Sequence, residues 1–163
     1  MFTYEPAYAF DGVVDLWFNK HMPEDQKAFI VSIYESFDLE VNEVRKRNAE
    51  MLVTNKKKDL VKGRPEVVGL FMTPKDETRD RPVSRMRFNY HKISRTPRRA
   101  DWLTSHEVGH SLGLDHAFDL PVSDTVMGYP TSYEMNFSST ASELTKRDRD
   151  LITGKLYPQQ FND

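Results

Sequence analysis

Three histidines, one glutamate and one glycine in the run His106-Glu107-Val108-Gly109-His110-Ser111-Leu112-Gly113-Leu114-Asp115-His116 have the types and spacing of a catalytic zinc site. His106 and His110 stand four residues apart, so on a helix both rings leave the same face, one turn above the other. Glu107 follows the first of them and can lean over a metal without ligating it. Gly113 can take the positive φ that stops a helix, letting the chain turn back and deliver His116 as a third nitrogen. Three neutral imidazoles leave the fourth tetrahedral position open to water, which separates a catalytic zinc from a closed structural one. Chemistry of that kind is hydrolysis: zinc lowers the pKa of a water to roughly 7, and Glu107 can take up the proton. The plain alternative is a polar helix whose histidines bond to backbone. A chance match to all five positions comes out on the order of 1 in 10⁷ per window, so zinc is the stronger reading.

The elements that must position these residues follow from local signals. Thr96 offers an N-cap and Pro97 the first helical position, predicting a helix over 97–112 that carries Trp102, His106 and His110 along one line. Thr145 and Asp148 form a capping box, with Asp in place of Glu, and open a final helix running to Leu156. Upstream, 12–18 reads as a strand with Val14, Leu16 and Phe18 on one face and Val13 and Trp17 on the other, which predicts burial on both sides. Pro23 can open a helix over 23–37 with an apolar stripe of Phe29, Ile30, Ile33, Tyr34 and Phe37. Further strands are predicted at 39–44, 51–54, 66–73 and 85–91. The last alternates Met86, Phe88 and Tyr90 against Arg85, Arg87, Asn89 and His91. Residues 56–64 make a polar, basic connection. The order predicts an α+β fold, an α/β sandwich with a sheet backed by two long helices.

With 163 residues and 38% hydrophobic content, the chain suits one domain over 1–163. A net charge of −2 and a sequence pI near 6.2 argue against polyanion binding by bulk charge. The distribution is uneven: 45–99 holds 17 Lys/Arg against 6 Asp/Glu, and the rest 6 against 19. Ordinary solvated surface and an anionic-ligand site around Arg85, Arg87, Arg95, Arg98 and Arg99 both remain open, although no nucleic-acid motif accompanies these residues. The net −6 from residue 101 onward leaves a preference for basic substrates open as well. The absence of cysteine excludes disulfides, cysteine-ligated zinc and a thiol that could mask the metal. The first residues carry no basic, apolar signal pattern, and no stretch reaches the ~18 apolar residues of a membrane span. A soluble monomer is expected.

Downstream of the histidines, Val126-Met127-Gly128-Tyr129-Pro130 begins its turn so that Met127 falls eleven residues past His116. Together with the zinc motif and the strand order, this resembles the metzincin clan of metalloendopeptidases, most closely the matrixins. The resemblance implies zinc ligation by His106, His110 and His116, Glu107 as general base, and Met127 in a Met-turn beneath the metal. It implies a twisted, mostly parallel five-stranded sheet with an antiparallel edge strand, and a C-terminal helix after the Met-turn. It also implies that an extended peptide substrate adds to the edge strand near Val67, Gly69 and Leu70, with Pro130 and Tyr133 walling a side-chain pocket. Secretion is expected from the resemblance alone.

Departures from the matrixin pattern matter. Ala117 follows the third histidine where a serine or threonine is usual, and Gly128 shifts Tyr129 to two places after Met127. That spacing is similar to astacins and serralysins, so Tyr129 is either an oxyanion donor or part of the wall. The Gly/Asp-rich loop that cages calcium and structural zinc is missing. Asp76, Glu77 and Asp80 are left as a calcium candidate or as solvated loop carboxylates. Asp115, Asp119 and Asp124 are candidates to orient a ligand imidazole, or are plain loop residues. The expected function is a zinc-dependent endopeptidase. The alternative is a metzincin-fold binding or assembly protein that keeps zinc and cleaves nothing.

Overall fold

The computed structural model describes residues 12–74, 83–93 and 96–157, so the calcium candidates Asp76, Glu77 and Asp80, and Arg95, lie outside the described residues. These residues form two compact units, 12–93 and 96–157 in their described parts.

The first unit holds β1 (Val13–Phe18), α1 (Glu24–Glu35), β2 (Glu40–Glu43), β3 (Met51–Asn55), β4 (Gly69–Met72) and β5 (Ser84–Phe88). One five-stranded sheet runs in the order β2-β1-β3-β5-β4. β1 pairs in parallel with β2 and β3, and β3 with β5, while β4 lies antiparallel on β5 at the edge. Parallel neighbours need a crossover, and α1 supplies the one from β1 to β2. Val14, Leu16, Met51, Val53, Met86, Phe88, Ile30 and Tyr34 are completely buried. Burial of each large apolar side chain contributes about 1.5–3 kcal/mol.

Three expectations are corrected here. β1 is buried on one face only: Val14, Leu16 and Phe18 face the core, while Val13, Asp15 and Trp17 are half-exposed. The second face is polar, with Lys46 Nζ 5.1 Å from the Trp17 ring centre and the Asn42 amide donating to Asp15 at 3.2 Å. On α1, Gln26 is buried and Phe29 only half-buried, so the stripe is rotated from the apolar count. β5 ends at Phe88 instead of continuing to His91. Asn89 is buried, its amide donates to the carbonyls of Lys57 and Lys58, and Tyr90 turns its N–H onto Asn55 Oδ1 at 3.0 Å, drawing 90–92 into a 3₁₀ turn.

The second unit holds α2 (Pro97–Ser111), a long irregular segment, and α3 (Lys146–Leu156). Proline at the first turn starts α2, but the Thr96 side chain makes no capping bond. The other end follows the glycine logic. Gly113 sits at φ 96°, its N–H donates to His110 O at 3.0 Å, and Leu114 N–H donates to Gly109 O at 2.9 Å. Those two bonds make a Schellman cap, which stops the helix and reverses the chain. The capping box of α3 forms, with Thr145 and Asp148 exchanging side-chain-to-backbone bonds of 3.2 Å in each direction.

Candidate metal centre

Trp102, His106 and His110 fall on one side of α2, and the Schellman turn brings His116 back to meet them. His110 Nε2 lies 3.2 Å from His106 Nε2 and 3.1 Å from His116 Nε2. The other ring nitrogens of the two helical histidines are taken. His106 Nδ1–H donates to Val126 O at 2.7 Å and His110 Nδ1–H to Leu114 O at 2.7 Å. A ring that donates from Nδ1 has a bare lone pair on Nε2. The Nε2–Nε2 approach between His106 and His110 therefore brings lone pairs together, an arrangement that only a shared cation makes favourable. A tetrahedral zinc with bonds of about 2.0–2.1 Å holds its nitrogens about 3.3 Å apart. The residues fit zinc.

The carbonyls that orient the rings have identifiable sources. Leu114 O is presented by the same turn that ends α2. Val126 O belongs to the segment 125–127, which is pinned by the buried carboxylate of Asp148. Asp148 Oδ1 accepts from Thr125 Oγ1 at 2.6 Å and Oδ2 from Val126 N–H at 3.0 Å. Met127 N–H in turn donates to Thr125 Oγ1 at 3.0 Å. Sequence reasoning found Asp148 only as a helix cap, since the use of its carboxylate by a loop twenty-odd residues upstream has no local signal. An Asp148→Ala chain leaves the Val126 N–H and the Thr125 hydroxyl without their acceptor. It is expected to lose about 2–4 kcal/mol of stability and about 10–100-fold in zinc affinity, read by thermal melts and competitive chelation. Unchanged zinc affinity would remove the assigned link between Asp148 and His106.

The aspartates nominated to orient imidazoles do not hold the Nδ1 atoms of His106 and His110; main-chain carbonyls do. Asp115 Oδ1 instead accepts the backbone N–H of His116 at 2.8 Å. Met127 is fully buried, and its Sδ packs against Gly109 so closely that a Cβ there would meet it at 2.8 Å. Glycine between the two helical histidines thus makes room for the thioether. Tyr129 is 59% exposed, yet its hydroxyl is 3.0 Å from His116 Nε2. Phe118, absent from the sequence-based candidates, stacks on the His116 ring with centres 4.9 Å apart and also meets Tyr129 at 5.2 Å. A single exposed aromatic beside a histidine carries no periodicity by which to find it. Tyr133 is exposed and packs edge-on against Phe137 at 4.9 Å.

Electrostatics suit ligation at neutral pH. Burial, with the neighbouring His110 adding to it, pushes the His106 ring down to about 3, and burial pushes His110 down to about 4. His116 is lowered by burial too, despite the nearby Asp115. Glu107 is buried, its Oε2 has no partner, and desolvation pushes its carboxyl up to about 8.

The metal-free chain should therefore have a stability maximum. As pH falls below the ordinary histidine value of 6.5, the unfolded chain takes up protons that the folded rings refuse, and stability falls. As pH rises from 4.5 to about 8, the unfolded Glu107 has lost a proton that the folded carboxyl keeps, and stability again falls. Where the windows overlap, three rings outweigh one carboxyl, so the maximum is expected at about pH 6.5. Thermal melts in chelator across this range test it, and a melting temperature still climbing through pH 8 would contradict it.

The chain is similar in structure to the crystal structure of myroilysin, with TM-score 0.56 and 14% sequence identity over 90% of this chain and 84% of that one. The two chains share a fold. A second structure of myroilysin aligns with TM-score 0.54 at 14% identity over 90% and 92% of the two chains. A crystal structure of archaemetzincin from Archaeoglobus fulgidus complexed with malonate aligns over 85% and 98% at 15% identity, with TM-score 0.48. No family model matches the chain, and no curated protein matches it. At such identity the likeness is one of fold, and the matrixin subfamily is not established by it. Among the described residues no helix is long and apolar enough to cross a membrane.

Proposed function

We propose that this chain is a zinc-dependent endopeptidase that hydrolyses internal peptide bonds of protein substrates. One observation carries the reading: ligand nitrogens of His106, His110 and His116 all lie within 4.8 Å of one another, and Glu107, next to His106 in the chain, is buried. Bound zinc supplies Lewis acidity, which acidifies a water to a pKa of roughly 7 and polarises a peptide carbonyl. The protein does the rest. Carbonyls of Val126 and Leu114 fix the tautomer of His106 and His110 and keep both rings aimed inward.

Burial makes the ionised Glu107 a stronger base than a carboxylate in water, and in that form it would take a proton from water and return it to the leaving amine. The Tyr129 hydroxyl stands at the ring of His116, where it can donate to an oxygen gaining negative charge. Met127, buried against Gly109, acts as the floor of a Met-turn. Pro130 and Tyr133 line the pocket after the scissile bond. The substrate backbone adds to β4, the edge strand that follows Val67 and includes Gly69 and Leu70.

Incubation of zinc-loaded protein with denatured proteins, followed by mass-spectrometric mapping of the products, should show internal cuts that a chelator abolishes. Zinc binding without any cleavage would instead favour a metzincin-fold binding protein.

A further inference from the structure

The connection from β3 to β4 is basic and firmly built. Lys56, Lys57, Lys58 and Lys62 are exposed, and none has an ion-pair partner among the described residues. Three consecutive like charges repel one another, so a chain gains nothing in stability by displaying them. The loop beneath is nevertheless held at several points. The buried Asn89 amide grips the carbonyls of Lys57 and Lys58, with its own Oδ1 left unpartnered. Leu60 is buried, Lys92 bonds both Asp59 and the Pro65 carbonyl, and Val61 bridges Arg64 across a turn that contains Gly63 at φ 78°. The ammonium groups thus stand on a fixed base, and little main-chain ordering is left for a ligand to impose.

This loop runs directly into β4, the edge strand of the sheet among the described residues. Asn89 N–H donates to Val68 O at 2.8 Å, which makes 68 and 89 a bonded pair of the antiparallel ladder. Bonding pairs alternate, so Leu70 and Met72 turn their main chain to β5, and Gly69 and Phe71 turn theirs outward. Gly69–Met72 itself bears no charge, so the lysines are not the edge-guarding charges often found on such a strand. At the opposite edge β2 presents Glu40 and Glu43, while β5, next to β4, carries half-exposed Arg85 and Arg87. The sheet is graded from acidic at one edge to basic at the other.

We propose that the 56–62 lysines recognise an acidic segment of the protein substrate while its adjoining backbone lies along β4. This rests on the endopeptidase reading and specifies its substrate class. A polypeptide fits better than nucleic acid, because an outward-facing strand edge offers main-chain bonds that only a polypeptide can complete. Among the described residues the large exposed hydrophobic side chains all fall between 118 and 151, and the half-exposed Trp17 ring is already covered by Lys46, so this unit shows no open aromatic face among them for bases to stack on.

The test uses a short fluorescent peptide rich in glutamate, its glutamine and lysine counterparts, and a short DNA strand, each titrated at low and moderate salt. Binding is measured on the zinc-loaded full-length Glu107→Gln chain, and cleavage on the unaltered chain. The glutamate peptide should bind about 5–20-fold tighter than the glutamine peptide, with the gain shrinking in salt. Replacing Lys56, Lys57 and Lys58 together by serine should erase that gain while leaving cleavage of the glutamine peptide unchanged. Equal binding of the glutamate and glutamine peptides, a preference for the lysine peptide, or tighter binding of DNA than of the glutamate peptide would overturn the proposal. Cleavage of all three peptides with no preference would overturn it and leave the peptidase intact. An acidic preference without any cleavage would overturn the peptidase reading and leave the surface standing.

Discussion

A Glu107→Gln chain is expected to lose about 10²–10⁴-fold in kcat on any cleaved peptide while keeping zinc and fold. Glutamine preserves the shape of the side chain and removes the carboxyl proposed to carry a proton between water and leaving amine. The same change should raise the stability of the metal-free protein. The folded carboxyl holds its proton to about 8 against 4.5 unfolded, so at pH 7 burial of this group costs on the order of 3 kcal/mol. Loss of activity with a gain in metal-free melting temperature is a pairing that general damage does not produce. Cleavage at the unaltered rate would refute the assigned role of Glu107.

His110→Ala should have the largest effect on the metal. His110 supplies the central nitrogen of the proposed set, within 3.2 Å of both other Nε2 atoms, and its loss leaves two imidazole donors in place of three. Groups that only orient a ligand contribute about 10–100-fold to metal affinity, so removal of a ligand should weaken zinc binding by more than ~100-fold. Competitive titration against a chelator of known affinity measures this. A variant with near-normal affinity would show that the three rings do not share one ion.

The parts of this site that the sequence made visible are those governed by short-range rules. The spacing of His106 and His110 follows from helical pitch, Gly113 from the positive φ of a Schellman cap, and the Thr145–Asp148 box from capping geometry. The mostly parallel five-stranded sheet and its antiparallel edge came through the resemblance, and the sheet agrees with them. What stayed hidden depends on partners remote along the chain. Asp148 spends its oxygens on Thr125 and Val126, and Asn89 holds a loop some thirty residues away; neither contact has a periodicity. Carbonyl oxygens orient the ligand rings, and every residue has one, so the aspartates near the motif were the wrong candidates for His106 and His110. The both-sided burial predicted for β1 failed because Trp17 finds Lys46 instead of core.

Zinc stoichiometry combined with X-ray absorption of the loaded protein addresses the common centre most directly. One ion per chain, with three imidazole nitrogens at about 2.0–2.1 Å and one further light ligand, is the predicted result. No tightly held zinc, or a shell with fewer than three imidazoles, would contradict the convergence of His106, His110 and His116 on a single ion.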